Sequence, residues 1–228
     1  MPIWSAPNQV MSKVALITGN DTGVGKTRVA ASLAKLLADF GPVRYLKVVE
    51  TGIVQPIDSD ANQVSNWAQG ELESSTVLRS YRQPLAPVFA AASEGQELAF
   101  RDLVDEFQKA KGPNWNLAEG AGGMAVPLDS SGVDWKDFAK AIPVDAVVLV
   151  VENRLGAINQ MRLLDAYCQD LSIPCGFWLN EALPQETEVI RTNEKALSSL
   201  ARSTWGIQRH GKEPTQVDLS WANEESDV

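Results

Sequence analysis

The sequence predicts an α/β fold, with a mostly parallel central sheet and helices on both faces. Three observations carry this expectation. "DAVVLVVEN" (145–153) is apolar on both alternating faces, as a strand covered by helices on each side must be. "VALITG" (14–19) is a second short apolar run of strand length. Helical patterns follow both runs, and strands alternating with helices build βαβ units with right-handed crossovers.

In chain order, the run 14–19 leads into a helical pattern of Val29, Leu33, Leu36, Leu37 and Phe40, closed by Gly41-Pro42. "VRYLKVVETG" (43–52) is β-rich and ends in glycine. After the strand 145–153, Ile158, Met161, Leu164, Cys168 and Leu171 read as one helical stripe, stopped near Pro174. "IPCGFWLN" (173–180) reads as another strand and residues 185–202 as a helix. The expected organisation is a loose extension over residues 1–12, a single α/β domain over 13–210 and a polar, acidic, partly disordered tail over 211–228.

Composition narrows the function. With 228 residues the chain is long enough for a full core, and 44% hydrophobic against 21% charged residues is ordinary for a globular protein. A net charge of -9 argues against nucleic acid or an anionic membrane as partner. The opening "MPIWSAPNQVMSK" lacks the features of a secretory signal, so a cytoplasmic location is expected. The two cysteines, Cys168 and Cys175, fit no metal-ligand spacing and read as idle thiols in a reducing compartment. His210, the sole histidine, lies in a polar stretch and is not read as catalytic.

Ligands of open α/β sheets gather beyond the carboxyl ends of the strands. In this chain those ends are Gly19 and its loop, Thr51-Gly52, "EGAGG" (119–123), "NRLGAIN" (153–159) and Asn180. The first is "TGNDTGVGKT" (18–27), a strand–loop–helix with a GKT ending, so the fold expected is P-loop NTPase-like. Backbone N–H groups and the helix dipole there stabilise a phosphate. Gly19, Asn20, Asp21, Thr22, Gly23, Val24, Gly25, Lys26 and Thr27 form the expected nucleotide-binding loop; Lys26 would meet the outer phosphates and the Thr27 hydroxyl would hold Mg²⁺. The common form places a glycine where Asn20 stands; here the nearest upstream glycine is Gly19, so the loop is one residue longer.

This longer loop, "GNDTGVGKT", resembles that of the dethiobiotin synthetases, and further motifs follow in that family's order. "YLKVVETG" (45–52) is similar to its lysine-bearing strand, "SDA" (59–61) to its acidic metal site, and "YRQPLAPVFAAASEG" (81–95) to its proline-rich segment. "EGAGGMAVPL" (119–128), "LGAIN" (155–159) and "WLN" (178–180) resemble the rest, so the likeness runs from about Val14 to Asn180. Val48 stands where the family usually has proline, "NWNLAEG" is more polar than expected before Glu119, and "TWGIQRHGKEP" is poorly matched.

Thr27, Asp60 and Glu119 carry hard oxygens suited to one Mg²⁺ that also touches phosphates. Lys47, inside an apolar strand, is either an edge lysine facing solvent or a fixed charge beside the reacting groups. The resemblance implies the second, with Lys47 stabilising a carbamate and the transferring phosphoryl beside Lys26, and Thr51 adding a hydroxyl. Gly122 and Gly123 would border the substrate. Leu155, Gly156, Ala157, Ile158 and Asn159 open a helix, which is an ordinary helix start on local grounds. In the family that end comes from the partner subunit and holds the substrate carboxylate, which implies a homodimer with the site at its interface. Asn180 is either a strand terminator or a contact to the base of ATP.

The implied reaction is ATP- and Mg²⁺-dependent closure of the ureido ring of dethiobiotin from 7,8-diaminononanoate and CO₂. A rival reading is a P-loop switch ATPase that binds a protein partner in a nucleotide-gated way. Its loops usually carry an early lysine, and residues 19–24 contain none.

Overall fold

The structure, a computed structural model, describes residues 12–200 and 202–223. Its strands are β1 (Ser12–Gly19), β2 (Val43–Thr51), β3 (Leu72–Tyr81), β4 (Asn114–Glu119), β5 (Ala146–Glu152), β6 (Cys175–Asn180), β7 (Thr204–Gln208) and β8 (Pro214–Thr215). The helices are α1 (Lys26–Leu37), α2 (Asp60–Ala68), α3 (Pro87–Ser93), α4 (Phe100–Ala110), α5 (Trp135–Ala141), α6 (Ala157–Tyr167), α7 (Thr187–Leu197) and α8 (Ser220–Asn223). One eight-stranded sheet runs β3-β2-β4-β1-β5-β6-β7-β8. All its pairs are parallel except β7 with β8. The α/β class expected from sequence is the class observed.

The apolar runs occupy the middle. β5 is buried from Ala146 to Val151, and β1 from Val14 onward, because helices cover both faces. One layer packs Leu103, Phe107, Trp135, Phe138, Met161 and Leu164 from α4, α5 and α6. The other packs Val29, Leu33 and Leu37 of α1 and Val64 of α2. β4 is polar in sequence yet buried, and Asn116 explains how. Its amide accepts from Gly112 N at 2.8 Å and donates to Lys13 O at 3.1 Å and Gly112 O at 3.0 Å, so no polar group is stranded. Along α6 the buried stripe is Ala157, Met161 and Leu164, continued by Cys168 and Leu171; Ile158 lies one position off it and is 39% exposed.

Residues 1–11 of the expected N-terminal extension lie outside the described residues, while Ser12 already belongs to β1. The stretch 211–223, part of the expected polar, acidic, partly disordered tail, carries β8 and α8. Trp221 stacks on Trp205 at 5.1 Å between centroids and meets Trp115 edge-on at 5.5 Å. Lys13 Nζ donates to Ala222 O at 3.0 Å across this contact. Trp221 and Ala222, with Val217 and Leu219 packed against the same layer, thus fix a segment of otherwise polar composition. Replacing Trp221 with Ala is expected to cost about 3 kcal/mol of unfolding free energy, read by urea titration, since a buried aromatic leaves a cavity. Both cysteines are free and buried; burial pushes the Cys168 thiol up to about 12.

Candidate active site

β1 hands the chain to α1 through residues 20–25, where Gly23 (φ 77) and Gly25 (φ 90) take left-handed conformations that favour glycine. The "EGAGG" turn packs onto this loop from the side. Gly19 O accepts from Met124 N at 2.7 Å, and a Cβ on Gly123 would sit 2.8 Å from the Asn20 carbonyl oxygen. Gly123 therefore supports the loop's backbone, and Gly122 is the one that lines the cavity below it.

That cavity, about 340 Å³, gathers Lys26, Thr27, Lys47, Thr51, Asp60 and Glu119. Glu119, fully buried at the end of β4, is its hub. Its Oε1 accepts from Lys47 Nζ at 2.6 Å and from Thr27 Oγ1 at 3.0 Å, and its Oε2 accepts from Tyr45 Oη at 2.8 Å. Asp60 Oδ2 lies 2.5 Å from Lys47 Nζ, so one ammonium bridges two carboxylates. Lys47 is not an edge lysine, because β2 runs between β3 and β4. Burial alone would lower its pKa, but Glu119 and then Asp60 outweigh that and hold it above the ordinary lysine value. Lys26 donates to Asp21 O at 2.8 Å. Burial, then repulsion from Lys47, pulls its amine down to about 8. An arriving triphosphate would offset both effects.

The oxygens of Thr27, Asp60 and Glu119 converge on one small region, and all are hard donors. Among the described residues no group of three or more His, Cys, Asp or Glu side chains is arranged to hold a metal ion by itself. One or two carboxylates completed by phosphate and water is the donor set that suits Mg²⁺.

Two further cavities open from the first. One of about 400 Å³ shares Gly25, Arg28 and Trp67 with it and is closed by Asn180, Glu181 and His210. There Asn180 Nδ2 donates to Val24 O at 2.9 Å, and the Arg28 guanidinium stands 5.5 Å from the Trp67 ring centroid. His210 Nδ1 donates to Ala182 O at 2.7 Å. The other, about 240 Å³, shares Thr22, Thr51, Ala121 and Gly122 and has Pro84, Leu85, Pro87 and Val126 as its apolar wall.

Residues 155–159 do not join this assembly. Gly156 (φ 95) caps the start of α6, and none of Leu155 to Asn159 lines the three cavities. Leu155 is 78% exposed there. Sequence reading missed Tyr45 and Glu50. Tyr45 was signalled by its spacing of two from Lys47 on a strand, and Glu50 by being a charge in an apolar run, as Lys47 was.

The AAA domain family matches residues 13–175. An ATP-dependent dethiobiotin synthetase of Mycobacterium avium is 38% identical over 196 residues, covering 82% of this chain and 83% of that one. The chain belongs to the dethiobiotin synthetase family. Dethiobiotin synthetases of Aquifex aeolicus and Bacillus licheniformis are 36% and 34% identical, over 68% and 69% of this chain and 69% and 68% of theirs. A putative plasmid partition protein from Borrelia burgdorferi bound to AMPPNP superposes with a TM-score of 0.55 at 14% identity, covering 87% of both chains. FtsY from Elizabethkingia anophelis with GDP also gives 0.55, at 13% identity, over 94% of this chain and 63% of that one. At such identities these two speak for the fold alone, whereas the synthetases share most of their length with this chain.

Proposed function

We propose that the chain is an ATP-dependent dethiobiotin synthetase, joining 7,8-diaminononanoate and CO₂ at the cavity beneath its phosphate loop. The observation that carries this reading is the Lys47 ammonium, held at 2.6 Å and 2.5 Å from Glu119 and Asp60 beside Lys26 and Thr27. Phosphoryl transfer between anionic groups asks for alignment and fixed positive charge rather than a covalent residue.

One substrate amine attacks CO₂ and loses a proton, giving a carbamate. A carbamate oxygen attacks the γ-phosphorus and ADP leaves, giving a carbamic-phosphoric mixed anhydride. The second amine attacks the carbamoyl carbon, the ring closes, and phosphate departs as that nitrogen loses its proton. Lys26 and the loop N–H groups hold the outer phosphates, while Lys47 balances the carbamate and the moving phosphoryl. The Thr51 hydroxyl orients the reacting end, and the apolar wall of Pro84, Leu85 and Val126 receives the aliphatic chain. Thr27, Asp60 and Glu119 would hold Mg²⁺, which when bound neutralises phosphate charge. Asn180 and its cavity take the base of ATP. The free N-terminus of α6 serves the substrate carboxylate in a second copy, so the working unit is a homodimer.

The test is to incubate the protein with diaminononanoate, bicarbonate, Mg²⁺ and ATP, and to look for dethiobiotin by mass together with ADP. ATP hydrolysis without that product would overturn the reading in favour of a nucleotide-gated switch.

A further inference from the structure

Glu50 is a buried carboxylate that the reaction above does not use. It is 4% exposed near the end of β2. Strand alternation should turn Glu50 away from Lys47, yet both residues reach α2.

Each Glu50 oxygen is engaged. Oε1 accepts from Ser80 Oγ of β3 at 2.9 Å. Oε2 accepts from Ser59 Oγ at 3.0 Å and from the backbone N–H of Asp60 at 3.2 Å. Ser59 is the N-cap of α2, and its hydroxyl in turn accepts from Ala61 N at 3.3 Å. One carboxylate therefore ties β2 and β3 to the first residues of the helix that bears Asp60. A negative charge at that end also suits the helix dipole. Asp60 itself is half-buried, and the side-chain partner it meets is Lys47. Its position thus depends on how the start of α2 is anchored.

We propose that Glu50 is a positioning residue, fixing the start of α2 so that the Asp60 carboxylate faces the magnesium–triphosphate site. This rests on the reading of Asp60 as a magnesium-holding residue. Groups that orient metal-holding carboxylates typically change metal affinity by about tenfold to a hundredfold when removed.

The experiment measures ATP binding to the full chain by calorimetry, first with EDTA and then across a MgCl₂ titration. The set comprises wild type, Glu50→Ala, Glu50→Gln, Asp60→Ala and Glu50→Ala/Asp60→Ala, with melting temperatures recorded throughout. Glu50→Ala is expected to raise the Mg²⁺ midpoint about tenfold while metal-free ATP affinity stays within about twofold of wild type. Glu50→Gln keeps an acceptor for Ser59 and Asp60 N, and should recover most of that loss even if Glu50→Ala folds poorly. In the Asp60→Ala background, Glu50→Ala should move the midpoint no further. A wild-type midpoint in Glu50→Ala, or an equal shift with and without Asp60, would overturn the positioning role while leaving the metal assignment standing. An unshifted midpoint in Asp60→Ala would instead defeat the metal assignment, and the positioning role with it.

Discussion

Lys47→Ala is expected to lower the turnover of dethiobiotin synthesis by about a thousandfold, roughly 4 kcal/mol of transition-state stabilisation, the upper range for losing one preorganised electrostatic group. ATP affinity should stay within about threefold, because Lys47 bonds to Glu119, Asp60 and Gly120 O and not to the phosphate loop. Steady-state kinetics beside calorimetric binding separates the two quantities; near-normal turnover would contradict its role. The substitution also removes the ammonium that pairs with fully buried Glu119, leaving that carboxylate next to Asp60 with only the Thr27 and Tyr45 hydroxyls as donors. A stability loss of about 3 kcal/mol follows from breaking such a buried pair. The sign of the pH effect is fixed. The folded pKa of Lys47 is raised, so its stabilising contribution is fully present below the unfolded value near 10.5 and fades only as pH rises through the folded value. Wild type and Lys47→Ala should therefore converge in stability only in strongly alkaline solution.

The second large effect is at Gly25. Alanine there is strained at φ 90, and its Cβ would overlap the Asn180 amide that holds Val24 O. Strain and displacement together should weaken ATP binding about a hundredfold, near 3 kcal/mol. Gly23 supplies the comparison. Its φ is 77, but nothing lies within 4 Å of a Cβ there, so Gly23→Ala carries strain alone and should cost about fivefold. Calorimetry on both variants checks this, and equal losses would count against the close approach of Asn180.

How much of this was legible in the sequence varies by residue. β1, β5 and α1 could be read because periodicity and apolar content agree along them. β4 could not be read from hydropathy, since Asn116 is made burial-compatible by bonds to Gly112 and Lys13 that no local pattern encodes. β3 was unmarked, and its half-exposed, serine-rich run is typical of an edge. With β3 unseen, whether Lys47 faced solvent had to stay open, although it lies between two strands. The phosphate loop, Lys47 and Glu119 stood out by type and spacing. Glu50 and Tyr45 carried the same kinds of signal, but what each does depends on a partner from another strand, Ser80 for Glu50 and Glu119 for Tyr45. The order around residues 211–223 hinged on Trp221, one aromatic in a stretch whose average composition pointed the other way.

Helix α2 is nine residues long and carries Asp60 at one end and Trp67 near the other. Asp60 borders the cavity under the phosphate loop, while Trp67 borders both that cavity and the one containing Asn180. A rod this short transmits displacement from end to end. One short helix thus borders both cavities, and a displacement of α2 at Trp67 would carry its acidic end with it.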